Sequence, residues 1–417
     1  MSGLKAVVVG GASTYTPELV TGLAARQEEL PVAELVLLDP DRDRLEVVAA
    51  FAARILDATG WRGRLTATSN RELALDAADA VLLQLRVGGQ QARLHDETVP
   101  LACGCLGQET TGAGGLAKAL RTVPVVLDLA EEVRRRAAPD AWIVDFTNPV
   151  GIVTRALRDA GHRAVGLCNV AIGLQRTIAR MLDVTPERVL VDQVGLNHLT
   201  WIRRVLLDGA DVLPELLDRH GAALADHVEL PVEVLRELGA IPSYYLRYYY
   251  AHDAVLAEQR DGVPRAAQVR AIEEELLRLY RDPGLVATPP LLEQRGGAYY
   301  SEAAVALLTS LVTGDGAVHE VDVPNAGTLP GLADDDVVEV PARVDRAGPH
   351  PLPQPPLAPE LLGLVQHVAA YERLAVRAAL SGDAADVRRA LLAHPLVGQW
   401  DVAVELARTL PHALVPR

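Results

Sequence analysis

Leu4-Lys5-Ala6-Val7-Val8-Val9-Gly10-Gly11-Ala12-Ser13-Thr14-Tyr15-Thr16-Pro17-Glu18 is the stretch on which the fold turns. Its β-branched opening suits a buried strand. Two glycines then mark a tight turn, and Thr16, Pro17 and Glu18 read as an N-cap, a proline at the first helical position and an acidic first turn. Strand, turn and helix in that order open a βαβ unit. The turn directs backbone N–H groups and the positive end of a helix dipole at whatever lies above it, which suits a pyrophosphate. The next apolar run, Glu34 to Asp39, ends in an acid placed to accept from the ribose hydroxyls of an adenosine, and its charge favours NAD over NADP. Gly10, Gly11, Ala12, Ser13 and Asp39 are therefore candidate dinucleotide contacts. The G-x-G-x-x-G pattern is incomplete, because Ala12 and Tyr15 stand where its second and third glycines belong, so a plain strand-to-helix turn is the competing reading.

Further along, strand-like runs at 78–85, 140–145 and 163–167 are separated by helical patterns, the first of them following one helical pattern after Asp39. This alternation predicts an α/β chain with a Rossmann-type, doubly wound parallel sheet. Beyond about residue 170 the alternation loosens. Residues 189–194 and 199–205 read as strands around the loop Gly195 to His198, 266–280 as a helix, and 320–323 and 337–340 as short strands. A proline-rich connector over 349–359 leads into a helical block from 360 to about 410. We expect a dinucleotide-binding domain over 1–170 and a mixed α+β substrate domain over 171–417, with the site between them.

The chain has 417 residues, 49% of them hydrophobic and 23% charged, which is the profile of a globular protein with a sizeable core. A formal net charge of −15 argues against nucleic acid or an anionic membrane as a partner, since either needs a basic face. The N-terminus has neither the apolar stretch nor the cleavage site of a signal peptide, and no run approaches the roughly 20 apolar residues of a membrane span. Three cysteines, Cys103, Cys105 and Cys168, form no disulfide framework. A cytoplasmic protein with reduced thiols is the expectation.

Cys168 follows a strand, on the side of an α/β sheet where ligands bind. It reads as a small buried hydrophobe, a nucleophile or a metal ligand, and no base stands beside it in the sequence. His198, in a loop between strands, is able to share a divalent cation with a thiolate. Five of the ten tyrosines crowd into Tyr244 to Tyr250. Tyr245, Tyr248 and Tyr249 have the spacing of one packing face, and the alternative is a phenol with lowered pKa acting as general base. Arg86 ends the strand at 78–85, Arg93 follows in a loop on the ligand side of the sheet, and Arg295 precedes Gly296-Gly297. Guanidinium groups so placed suit a phosphate or carboxylate, or are merely solvated.

Nine ordered blocks, among them GGASTYTPEL, GCLGQETTGAGGLAKALRTVPV, DFTNPVG, GLCNVAIG, GLNHLTW, IPSYYLRYYY and RGGAYYSEAA, resemble glycoside hydrolase family 4, the NAD- and Mn2+-dependent glycosidases. The resemblance runs through nearly the whole chain. It implies that Cys168 and His198 bind Mn2+, that Asn148 contacts the sugar near the metal, and that Tyr245, or its neighbour Tyr244, is the base. It further implies that Arg86, Arg93 and Arg295 hold the substrate and its 6-phosphate, with Glu109 bordering the site. Asn169 after the cysteine resembles the 6-phospho-β-glucosidase branch, which acts on compounds such as cellobiose 6-phosphate; α-specific branches tend to have Asp or His there.

Such enzymes stand apart from glycosidases that use two carboxylates. The resemblance implies oxidation at sugar carbon 3, loss of the carbon 2 proton to Tyr245, elimination of the aglycone, water addition and re-reduction, with NAD regenerated and Mn2+ as Lewis acid. It also implies a homodimer or homotetramer. Two departures from the family pattern are Ala12 in the turn and Ala171 where a proline usually follows CNV. The rival readings are another specificity of the same family, on α-glycosides or unphosphorylated substrates, an NAD-dependent hydroxy-acid dehydrogenase, and a catalytically dead sugar-phosphate or NAD sensor.

Overall fold

A computed structural model of the protein describes residues 3–297 and 299–410. The first half contributes strands β1 (Leu4–Val9), β2 (Val32–Leu38), β3 (Arg64–Thr68), β4 (Ala80–Leu83), β5 (Trp142–Asp145) and β6 (Ala164–Gly166). The second half contributes β7 (Val189–Leu196), β8 (Leu199–Leu207), β9 (Ala210–Asp211), β10 (Ile241–Pro242), β11 (Val318–Pro324), β12 (Val337–Asp345) and β13 (Gly348–Pro351). Among the described residues all thirteen join one sheet, in the order β10-β8-β7-β12-β11-β6-β5-β4-β1-β2-β3, with β13 beside β12 and β9 beside β8.

The six strands from β3 to β6 are parallel, in the order 3-2-1-4-5-6 of a doubly wound dinucleotide fold. Helices cover both faces, so β1, β4 and β5 have almost no exposed side chains, which is why they read as unbroken apolar runs. The edge strand β3, RLTAT, is partly exposed along its length and has no such run. The sequence reading passed over it as part of one helical pattern. In the structure a helix at Arg42–Thr59 precedes it and a short helix at Arg71–Leu75 follows. The first helix, Thr16–Ala25, is capped by Tyr15 rather than Thr16, with no side-chain cap bond.

The expected strands and helix beyond 170 are present, and the sheet there is antiparallel. It continues from the parallel half through two narrow seams, each with one bridged pair: Asp322 with Gly166 joins β11 to β6, and Glu339 with Gly195 joins β12 to β7. The largest hydrophobic cluster reaches from Ala6 to Leu410 and so includes both halves of the chain. Within it, the helix Tyr300–Thr313 lies on Thr16–Ala25, and Ser301 Oγ donates to Glu18 across that contact at 2.6 Å. The helix Pro359–Ser381 likewise packs on Gly112–Arg136 and Val150–Asp159. A smaller cluster, from Leu174 to Ile241, lies where the helix Leu213–Val228 covers β8.

Candidate active site

A cavity of about 1060 Å³ opens over the carboxyl ends of the parallel strands. Gly10 after β1, Asp39 after β2, Gln84 after β4, Phe146 after β5 and Asn169 after β6 all line it. The strand order reverses between β1 and β4, and a crevice at such a switch is where doubly wound sheets bind ligands.

At one end is the opening turn. Gly10 takes φ +85°, and a Cβ there would fall 2.6 Å from the Gln84 carbonyl oxygen. At Gly11 a Cβ would stand 2.9 Å from the Leu37 Cα. The chain's own packing thus demands both glycines. The N–H groups of Gly10 and Gly11 donate to the Leu38 carbonyl, that of Ser13 to Gly10, and that of Ala12 to Asp39 Oδ2 at 3.0 Å. These four donors, expected to face a pyrophosphate, are spent within the protein. Asp39 also accepts from Asp41 N–H at 3.0 Å and keeps its remaining lone pairs for the cavity. Burial raises its pKa above the ordinary aspartate range, against those two N–H groups.

The middle of the cavity is cationic. Glu109, buried, is gripped by Arg86, by Arg93 Nε at 3.2 Å and by Lys118 Nζ at 2.6 Å. Burial alone would push its carboxyl up, but the three cations together hold it well below the ordinary range. Lys118 is pulled below the usual lysine range, chiefly by burial, while Glu109 resists. Arg93 also meets Glu97 at 2.7 Å, and Arg295 and Arg44 meet Glu273 at 3.0 and 3.2 Å. In this part of the cavity five cations thus meet three carboxylates, a local surplus that suits a phosphate, while the whole lining has seven of each. None of the three expected arginines is merely solvated. Arg93, expected in a loop, lies instead on the helix Gly89–Ala102, since the loop after β4 closes at Gly88. Arg44 and Glu273 carried no signal in the sequence, because they meet across 229 residues of chain, and Lys118 carried none because its spacing of nine residues from Glu109 marks no ion pair.

Cys168 lies after β6 and His198 in the two-residue turn between β7 and β8. His198 has φ +63°, an uncommon conformation for a residue with a side chain. Asn197 beside it is tied to Glu339 at 3.0 Å and to Asp322 at 3.4 Å, which anchors the turn to the seams of the sheet. Burial, with Lys118 nearby, lowers His198 to about 3, so the ring is neutral. Burial pushes the Cys168 thiol well up, with Glu339 adding to it, and Val170 N–H and Asn197 oppose.

Tyr245 stacks on His198 with ring centroids 3.6 Å apart and planes within 8°. The SYYLRYYY block forms a 3₁₀ turn, Tyr244–Leu246, and a short helix, Arg247–Tyr250, which directs the two neighbours differently. Tyr244 Oη accepts from Arg247 at 2.7 Å, away from His198. The expected lowering of a phenol pKa is not found: burial drives Tyr245 well above the ordinary value, and the pull of Arg93 does not offset it.

Asn148 and Asn169 also line the cavity. Asn148 Oδ1 is buried without a protein hydrogen-bond partner among the described residues. No group of three or more His, Cys, Asp or Glu side chains able to hold a metal occurs among those residues. His198 and Asn148 line the cavity, and Cys168, buried and outside its lining, lies near enough to Tyr245 to raise the pKa of that phenol. A soft thiol, a neutral imidazole and an orphaned amide oxygen fit a divalent cation whose shell the ligand completes. Asp39 at the far end fits a ribose.

The model of the family described as "Family 4 glycosyl hydrolase" matches residues 5–184, and that of the "Family 4 glycosyl hydrolase C-terminal domain" matches residues 193–397. A probable 6-phospho-beta-glucosidase of Bacillus subtilis (strain 168) is 41% identical over 420 residues, covering 97% of this chain and 95% of its own. The solved 6-phospho-beta glucosidase of Thermotoga maritima, determined with manganese, NAD+ and glucose-6-phosphate, superposes with a TM-score of 0.93 at 35% identity, over 98% of both chains. Lactate dehydrogenase of Eimeria maxima shares the fold alone, at 14% identity and a TM-score of 0.57 over 92% of this chain and 96% of its own. On the two family matches and the full-length relatives, this chain belongs to the family 4 glycosyl hydrolases.

Proposed function

We propose that the protein hydrolyses 6-phospho-β-glucosides, with NAD and Mn2+ as resident cofactors. The observation that carries this reading is the convergence on one cavity of Asp39, the five clustered cations and the His198–Tyr245 stack. The 41% identical and 35% identical relatives named as phospho-β-glucosidases support the same reading. When bound, NAD supplies reversible oxidation at sugar carbon 3, and the cation supplies Lewis acidity that acidifies the proton on carbon 2.

The chain's own residues do the rest. Asp39 accepts from the adenosine ribose hydroxyls. Cys168 and His198 hold the cation, and Asn148 Oδ1 and Asn169 face the sugar beside it. Arg86, Arg93 and Arg295, with Lys118, neutralise the 6-phosphate, while Glu109 and Glu273 keep the cations apart and aligned. Tyr245 Oη takes the carbon 2 proton; burial opposes the phenolate that this step needs, and Arg93 pulls the other way. The segment 1–170 supplies the nucleotide end and 171–417 completes the metal and sugar end. The enzyme acts in the cytoplasm as a homodimer or homotetramer; no helix among the described residues is long and apolar enough to cross a membrane.

The test is release of nitrophenol from its β-glucoside 6-phosphate with NAD+, Mn2+ and a thiol reductant, run in D2O with mass analysis of the sugar. Turnover that needs both cofactors, with one deuterium gained at carbon 2 and no net NADH, is the expected result. Hydrolysis without NAD+ would overturn the mechanism. Net NADH formation without hydrolysis would point to a dehydrogenase.

A further inference from the structure

His198 Nδ1 lies 3.1 Å from Thr110 Oγ1, and either atom is chemically able to donate. Gln108 decides between them. The backbone N–H groups of Thr110 and Thr111 both point at Gln108 Oε1, the second at 3.2 Å. An N–H only donates, so the atom there is the amide oxygen. Thr110 Oγ1 stands 2.8 Å from the same oxygen. Two oxygens at that separation repel unless a proton lies between them, and the amide oxygen has none to give. The single hydroxyl proton of Thr110 is therefore committed to Gln108, and Thr110 Oγ1 offers His198 only lone pairs. Nδ1 must supply the hydrogen.

We infer that Gln108 and Thr110 are positioning residues that fix His198 as its Nδ1–H tautomer and so present Nε2 as a bare lone pair to the cation. The inference rests on the reading of His198 as a metal ligand. The relay is itself anchored: Thr111 Oγ1 meets Tyr249 Oη at 3.0 Å, and Gly112 N–H donates to the buried His394 Nε2 at 3.0 Å. The loop that sets the tautomer is thereby bolted to the C-terminal part of the chain. A ligand imidazole needs one nitrogen bare, and which one is bare is decided by the hydrogen bond at the other.

Long-range proton–nitrogen NMR spectra of the full, metal-free protein labelled with ¹⁵N-histidine read the tautomer directly, the His198 signal being assigned by its loss in H198Q. The expected wild-type ring is protonated at Nδ1 and bare at Nε2. In Thr110→Val the signal shifts toward the opposite tautomer, and the Mn2+ dissociation constant, read from the electron paramagnetic resonance of free Mn2+, rises about tenfold or more. Thr110→Ser restores both. A wild-type ring protonated at Nε2, or an unchanged tautomer in T110V, would overturn the inference, and the wild-type spectrum decides the first point even if T110V fails to fold. An Nδ1–H ring that Mn2+ neither binds nor broadens would overturn the metal reading instead and leave the tautomer assignment standing.

Discussion

Asp145 ends β5 with no exposed surface, and its hydrogen-bond partners are neutral: Thr147 N–H at 2.9 Å and the Thr154 hydroxyl at 3.4 Å. Burial raises its pKa to about 8, so the carboxyl is largely protonated near neutral pH. Because the folded pKa exceeds the unfolded one, the proton's stabilising contribution is complete below about pH 4 and is lost as pH rises toward about 8. Asp145→Asn removes that dependence. Urea unfolding from pH 5 to 8.5 should show the variant gaining on the wild type by up to about 1.4 kcal/mol per pH unit, and parallel curves would refute the assignment. Asp145 itself was not singled out in the sequence, since nothing in DFTNPVG distinguishes a buried acid from an exposed one. The resemblance pointed to His198 and Tyr245 one position at a time, and the two rings do meet in the fold. The pairing of Glu109 with Arg86, Arg93 and Lys118 was not legible, and Arg44 meets Glu273 across 229 residues of chain, a separation at which no local spacing carries information.

Among elements, the helices Gly89–Ala102 and Gly112–Arg136 supply Arg93 and Lys118, and their mutual register is fixed by a buried ion pair. Arg121 Nη1 donates to Asp96 Oδ1 at 2.8 Å and Arg121 Nη2 to Oδ2, with both side chains almost fully enclosed. Removing one member of such a pair strands the other charge in the interior. Asp96→Asn should therefore cost about 3 kcal/mol and lower the melting temperature; a loss under about 1 kcal/mol would mean that Arg121 finds another acceptor. The parallel strands were legible because burial on both faces writes them as continuous apolar runs. The edge strand β3 was not, since one open side removes that signature. The tyrosine spacing suggested either a helical packing face or a general base, and a 3₁₀ turn followed by a short helix sends Tyr244 to Arg247 and Tyr245 to His198.

At the scale of the whole molecule, the doubly wound half follows from strand and helix alternation, but its continuation into an antiparallel half does not. That continuation depends on pairings between strands more than 140 residues apart, Gly166 with Asp322 and Gly195 with Glu339. The shared core predicts that residues 1–184 expressed alone lack the cover of the helices Tyr300–Thr313 and Pro359–Ser381 and expose apolar surface. Strong binding of a hydrophobic dye and a poorly dispersed NMR spectrum are expected, and a well-dispersed spectrum would show that the segment folds unaided. The seams also set an order of events in time. Cys168 follows β6 and His198 follows β7, and in the sheet the hairpin of β11 and β12 lies between those strands. Contacts of such high sequence separation form late in folding. A chain emerging from the ribosome thus completes its nucleotide-binding strands early, yet it has no means to bring the thiol and the imidazole into register until Asp345 has been translated.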